Sequence, residues 1–360
     1  MWDGFESRFG DILRSLAKHS ELVDKEAVAV DISDAVARSK EDADRWEKQE
    51  REWQTLKLRA VLSWLATDDP PPEDILERHT QHCLPGSCDW FTQHRKTQLW
   101  LKDGTENAML WLHGKPGAGW SSFTFAPTIG SLLLPGKSVL CSSLVKHAEA
   151  TGSNIFVYFC SYLNSSTERS SRLLRSFAAQ LIQKHQDLAL HVYHKYSQSH
   201  PIPSRRALLA VLPELLQSLG SVRLVVDGID EWDECDQKEV LQDLTQMLST
   251  DPSSCICKIL LVSRDTLEIS RSLRKQNTRT VSLSLSGGDE STAIDRSIGY
   301  FVDSWLLSDL PDHIDELDPD ASVLAQIKRT LLEKSNGTSA LKYLIRGSLT
   351  QTQVCFYGCV

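Results

Sequence analysis

Apolar positions near the start of the chain recur every three or four residues, at Phe5, Phe9, Ile12, Leu13 and Leu16. That spacing is one face of a helix. A second, highly charged helix is predicted from Glu41 to Ala66, carrying Trp46, Trp53, Leu56, Ala60, Val61 and Trp64. Asp68-Asp69-Pro70-Pro71-Pro72 ends it, because proline has no N–H to donate and its ring clashes with the preceding turn. From residue 108 onward the pattern changes. Short apolar runs predict strands at 108–114 (AMLWLHG), 154–160 (NIFVYFC), 222–231 (VRLVVDGIDE), 258–265 (KILLVSRD) and 280–285 (TVSLSL). Helical stripes lie between them. One holds Leu173, Leu174, Phe177, Ala178, Leu181 and Ile182; another holds Leu208, Leu209, Leu212, Leu215, Leu216 and Leu219; a third falls near 236–248. Strands alternating with helices predict an α/β fold, a mostly parallel sheet flanked by helices and preceded by an α-helical N-terminal region. Ligands of such sheets sit at the carboxyl ends of the strands, and three chemically distinctive segments fall there.

The first is WLHGKPGAGW, residues 111–120. Gly114, Gly117 and Gly119 follow the opening of a phosphate-binding loop, G-x-x-x-x-G-K-[ST], whose backbone amides cradle phosphates. Trp120 stands where the lysine belongs. Lys115 lies five residues too early to replace it. Further on, Gly136-Lys137-Ser138 opens an amphipathic helix with Leu140, Leu144 and Ala148. Removing Trp120 to Gly136 gives WLHGKPGAGKSVLCSSLVKHAE, a complete phosphate loop on a strand–turn–helix. The expected P-loop is thus split by a 17-residue insert. The insert is a whole number of codons. With Gly119 encoded GGT and Pro135 encoded CCA, a GT donor and an AG acceptor fall at its ends, and excision rebuilds one glycine codon. A retained short intron is the expected origin. A genuine inserted loop and a chance GKS are the alternatives. Closing such a loop costs about 2.5 kcal/mol by chain entropy, which is tolerable. Its content of Trp120, Phe123, Phe125, Ile129 and Leu132 to Leu134 suits a solvated loop poorly. The chain as written is expected to bind nucleotide weakly or not at all.

The second segment is LVVDGIDE, which places Asp227 after an apolar strand. A carboxylate there can hold Mg²⁺ opposite the Ser138 hydroxyl. Gly228 allows a tight turn, and Asp230 or Glu231 can orient an attacking water. A solvated acidic turn is the plainer reading. The third is LLVSRD, where Ser263 and Arg264 end a strand. Arg264 is placed to sense a γ-phosphate; the plainer reading pairs it on the surface with Asp265. His79, His82, Cys83 and Cys88 offer zinc-type ligands, but their spacing fits no zinc pattern.

Composition narrows the field. The 360 residues carry a net charge of -9, with 41% hydrophobic and 24% charged residues. An acidic balance argues against a general nucleic-acid or anionic-membrane binder, since phosphate backbones need clustered Lys and Arg. No run of apolar residues is long enough to span a membrane and no secretory signal is seen. Nine scattered cysteines read as reduced cytoplasmic thiols. Residues 1–66 offer a surface for a protein partner. The expected divisions are a helical N-terminal region at 1–66, a linker and pre-NTPase segment at 67–107, a P-loop NTPase domain at 108–300, and a helical start at 301–360.

ELVDKEAVAVDI (21–32), PGSCDWF (85–91), MLWLHGKPGAG (109–119) with KSVL (137–140), VYFC (157–160), LLRSFAAQL (173–181), LVVDGIDE (224–231) and KILLVSRD (258–265) together resemble the NACHT branch of the STAND NTPases in its filamentous-fungal form. The likeness runs from about residue 5 to 337. The split phosphate loop and the DGxDE acids are its specific parts. It implies a switch in which ATP or GTP, with Mg²⁺, gates assembly into a homo-oligomer, often in self/non-self recognition. By position, Lys137 would hold phosphates, Ser138 and Asp227 Mg²⁺, Asp230 or Glu231 the water, and Arg264 would sense nucleotide. Relatives continue EKSNGT (333–338) into an apolar helix. Here SALKYLIRGSLTQTQVCFYGCV follows, and a frameshift or missed splice site near 338 is expected. Two rival readings are an interaction scaffold with a dead NTPase core and a small-molecule kinase, which the acids and the helical front end do not suit.

Overall fold

The computed structural model describes residues 3–81, 83, 85–104, 106–114, 136–162, 168–198, 202–248, 255–275, 280–285 and 296. Those divide into two compact units, Met1–Val61 and Leu62–Val360.

In the first unit every described residue is helical, part of α1, Asp3–Leu65. The sequence predicts two helices here, and the structure has one. Nothing between the two apolar stripes breaks a helix. Residues 33–45 contain neither Pro nor Gly, and ion pairs one turn apart, such as Lys25–Glu21 at 2.7 Å and Arg45–Asp42 at 3.1 Å, run along the surface. The stretch between the two stripes, which carries Leu22, Val23, Val28, Val30 and Ile32 exposed, belongs to the same continuous helix.

In the second unit the helices α2 (Pro72–Gln81), α3 (Asp89–Gln93) and α4 (Arg95–Leu101) precede the first strand. The elements that follow are β1 (Met109–Gly114), α5 (Lys137–Ala150), β2 (Ile155–Phe159), α6 (Arg169–Lys184), α7 (Ala189–Val192), α8 (Arg205–Gln217), β3 (Ser221–Asp227), α9 (Glu234–Leu248), β4 (Ile256–Arg264), α10 (Leu267–Lys275) and β5 (Thr280–Ser284). The five strands form one wholly parallel sheet in the order β2-β3-β4-β1-β5. The central strands are buried along nearly their whole length, which is why they read as continuous apolar runs and not as alternation.

The segment 67–107, the expected linker and pre-NTPase segment, supplies part of the core. Phe91 and Trp100 are fully buried in the cluster that contains Leu110, Leu112, Leu140, Leu144, Val225 and Leu260. Trp100 donates its indole N–H to the Ile259 carbonyl at 3.1 Å. Cations from the amino-terminal parts of two strands cover the carbonyls at the end of α4. Lys258 donates to the Leu99 and Lys102 carbonyls, at 3.2 and 2.5 Å, and Arg223 donates to that of Leu101. Helix carboxyl ends favour such partners, because their last carbonyls lack intrahelical donors.

At one edge of the sheet, β2 has its outer backbone occupied by a side chain. The Val157 N–H donates to Gln180 Oε1 at 3.1 Å, and Gln180 Nε2 donates back to the Val157 carbonyl at 2.9 Å.

Candidate functional site

Strand order decides which loops meet. β4 lies between β1 and β3, so the carboxyl ends of all three are adjacent. Gly114 is in register with Arg264, and Asp227 with Val262. The chain returns to this edge at Lys137, the first residue of α5, with Gly136 as its N-cap. Gly136 has no side chain to cap this helix start, and a helix's first amides lack intrahelical acceptors.

Lys137 and Asp227 are buried, at 9% and 5% exposure, and interact electrostatically across this space. Burial pulls the Lys137 ammonium pKa down; the carboxylates of Asp230 and Asp227 oppose that, and the Arg264 charge adds to it. Burial pushes Asp227 up from 3.8 to about 7. The Ser138 side chain hydrogen-bonds to it and, with Lys137, holds the value lower than burial alone would, while Asp230 and Glu231 repel its charge. Asp227 thus carries two of the effects that perturb a carboxylate, desolvation and like charge, against one hydroxyl and one ammonium.

Past Asp227 the chain turns at Gly228, with φ at +84°. A Cβ there would lie 3.2 Å from the Cys160 carbonyl oxygen. The Gly228 N–H donates to the Val262 carbonyl at 2.9 Å, and the short 3₁₀ turn Ile229–Glu231 follows. That turn aims Asp230 sideways along the strand ends. Asp230 Oδ1 accepts the Arg264 backbone N–H at 2.9 Å, and Oδ2 lies 3.1 Å from Arg264 Nε. Glu231 Oε2 accepts the Tyr162 N–H at 3.2 Å. Burial raises the Glu231 pKa, with the Tyr162 bond working against it.

Of the predicted site residues, Gly114, Lys137, Ser138, Asp227, Asp230, Glu231 and Arg264 come together at one end of the sheet. Gly117, Gly119 and residues 120–135 of the insert lie outside the described residues, as do residues 339–360. The surface pairing of Arg264 with Asp265 does not form. Asp265 Oδ2 instead lies 3.5 Å from Nδ1 of His113, whose ring stacks on Trp111 at 4.0 Å. Trp111 Nε1 donates to Ser263 Oγ at 2.8 Å. The pairing of His113 with Asp265 has no signal in the sequence. His113 precedes Gly114 and Asp265 follows Arg264, and only the pairing of β1 with β4 brings the two positions together.

The strand order and the placement of Lys137, Ser138 and Asp227 define an α/β P-loop NTPase fold. The family model "Nephrocystin 3, N-terminal" matches residues 86–125 and 135–264, leaving 126–134, within the 120–136 segment, unmatched. The chain is 24% identical over 303 residues to the vegetative incompatibility protein HET-E-1 of Podospora anserina, covering 80% of this chain and 20% of that relative. It therefore spans about a fifth of the relative's length. These two matches support a NACHT/STAND-like protein. Among solved structures, the Walker-type ATPase PABY2304 of Pyrococcus abyssi overlaps with a TM-score of 0.36 at 14% identity, covering 80% of this chain and 79% of that one. The Aeropyrum pernix ORC2 protein, solved in ADPNP–ADP complexes, overlaps at 0.32 and 12% identity, over 67% and 54% of the two chains. At such scores the overlaps add nothing to the strand order.

Proposed function

We propose that the chain is a nucleotide-dependent signalling switch, in which binding and slow hydrolysis of ATP or GTP gate assembly into a homo-oligomer. The observation that supports it best is the facing of Lys137 and Ser138, at the start of α5, with Asp227, at the end of β3. In this reading Gly114, Gly117 and Gly119 shape the phosphate loop, Lys137 holds phosphate oxygens, and Arg264 senses nucleotide. The donor set suits Mg²⁺: a hydroxyl and a carboxylate are hard oxygen ligands, and the buried Asp227 carboxylate gains a compensating charge when a cation arrives. Ser138 and Asp227 would hold that ion, which would neutralise developing charge on the phosphates. Glu231, whose pKa is raised, is the stronger candidate to take a proton from water, since both Asp230 oxygens are engaged by Arg264.

The insert at 120–136 is proposed to impair binding, because it parts Gly119 from Lys137 by 17 residues. Residues 1–66 are the proposed surface for a protein partner; Phe9, Ile12, Leu13, Leu16 and Trp46 are exposed along α1. The protein is proposed to work in the cytoplasm. The domain limits given from the sequence stand as part of the proposal. A scaffold with a dead NTPase core is the second reading, favoured by the same insert.

Titration of a fluorescent ATP and GTP analogue with Mg²⁺, on the chain as written and on a version lacking 120–136, tests the proposal. Tight binding by the shortened version alone is expected. Equal binding by both would remove the role given to the insert, and no binding by either would favour the scaffold.

A further inference from the structure

Two sulfurs outside the nucleotide site are in contact. Cys83, which follows α2, and Cys88, which precedes α3, have their Sγ atoms 3.0 Å apart. That is about 1 Å longer than the roughly 2.04 Å bond of a disulfide. The chain between them is drawn together by a turn at Gly86, whose φ is +82° and whose carbonyl accepts the Asp89 N–H at 3.4 Å. The two thiols differ in access. Cys88 is 1% exposed within the core beneath α5, whereas Cys83 packs against the edge of that core and is only half-buried. Ser87 Oγ lies within 3.7 Å of Cys83 Sγ and 3.8 Å of Cys88 Sγ, and Ser143 of α5 also hydrogen-bonds to the pair.

We propose that Cys83 and Cys88 form a redox modification site, at which a peroxide converts the dithiol into an intramolecular disulfide lying against α5. Cys83 is the attacking thiol and Cys88 the resolving one. The Cys83 thiolate attacks one oxygen of hydrogen peroxide; an S–O bond forms, the O–O bond breaks, and hydroxide leaves. Cys88 sulfur then attacks the Cys83 sulfenic acid. The S–S bond forms, the S–O bond breaks, and the Cys88 proton departs with the leaving hydroxide as water. Two thiols and one peroxide become one disulfide and two waters, and a dithiol reductant reverses the change.

The electrostatics agree with that division of roles. The hydrogen bond from Cys88 brings the Cys83 thiol down to about 7, against the opposing effects of burial and Asp89. The same bond, together with burial, pushes Cys88 up. A half-exposed thiol held near neutrality is the reactive kind, and a buried protonated neighbour in contact is a resolving partner already in place. Cys235 is exposed and serves as an internal reference.

The test uses the full chain with sub-stoichiometric hydrogen peroxide at pH 7, quenched by alkylation and read by peptide mass spectrometry. A Cys83–Cys88 cross-link is expected to appear about tenfold faster than any oxidation of Cys235, and to vanish with dithiothreitol. In urea that preference is expected to disappear. In Cys88→Ser, a Cys83 sulfenic acid trapped by dimedone is expected in place of the cross-link. Oxidation of Cys235 before the pair, or a cross-link formed equally fast in the unfolded chain, would overturn the proposal. No nucleotide enters the experiment, so its result is separate from that of the switch reading.

Discussion

Arg264 holds both oxygens of Asp230, one through its backbone N–H at 2.9 Å and the other through Nε at 3.1 Å. The pair bridges the ends of β3 and β4. Asp230 is 6% exposed at its side chain and Arg264 45%. Removing the aspartate leaves a backbone N–H and a guanidinium without their acceptor, whereas removing the arginine side chain leaves the backbone bond intact. Asp230→Ala is therefore expected to lower stability by about 1–2 kcal/mol and Arg264→Ala by less than about 1 kcal/mol. A double-mutant cycle in urea should give a coupling on the order of 0.5–1 kcal/mol; additive losses would mean the side-chain pair contributes nothing.

Asp227 makes stability fall as pH rises. Its folded pKa of about 7 lies above the ordinary 3.8, so between those values the folded chain holds a proton that the unfolded chain has lost. Stability from this group is fully present below about pH 4 and is lost as pH rises through 7. The effect is on the order of 2–4 kcal/mol. Urea unfolding from pH 5 to 8 should show the slope, and Asp227→Asn should flatten it and be the more stable chain at pH 8. A slope unchanged in the variant would assign the pH dependence to other groups.

Gly228 admits no side chain without strain. Its φ of +84° and the 3.2 Å approach to the Cys160 carbonyl predict that Gly228→Ala costs about 1–3 kcal/mol. Displacement of the turn carrying Asp230 and Glu231 should follow. Thermal unfolding would measure the loss, and a midpoint equal to the parent's would contradict it.

Trp100 ties α4 to the sheet. It is fully buried and its indole N–H reaches Ile259, so Trp100→Ala is expected to cost about 3–5 kcal/mol. A loss below about 1 kcal/mol in chemical denaturation would mean that α4 is dispensable to the core.

In the version lacking 120–136, Lys137→Ala is expected to weaken binding of the nucleotide analogue at least tenfold, which is about 1.4 kcal/mol. The same substitution in the unshortened chain should change little. Equal losses in both would show that Lys137 reaches the phosphates despite the insert.

The central strands were legible because each is a buried apolar run ending at polar residues, and the candidate site residues stand at their ends. Lys137 and Ser138 were legible through the helix they open, although 17 residues separate them from Gly119. Other relationships had no local signal. α3 and α4 are five and seven residues long, too short for a helical stripe to declare itself, and what buries Phe91 and Trp100 is a sheet reached much later in the chain. The partner of Arg264 had no local signal either. Asp265 is next to it in sequence but lies against His113, and Asp230 arrives from the short turn that follows β3.

The side-chain amide of Gln180 stands beside β2 as a strand one residue long. It donates and accepts at Val157 as a neighbouring backbone would, and so blunts a margin of the sheet that would otherwise offer a template to any extended segment. If copies of this chain assemble, strand addition at that margin has to displace an amide already seated there. At that margin, then, main-chain pairing, which accepts nearly any partner, is disfavoured.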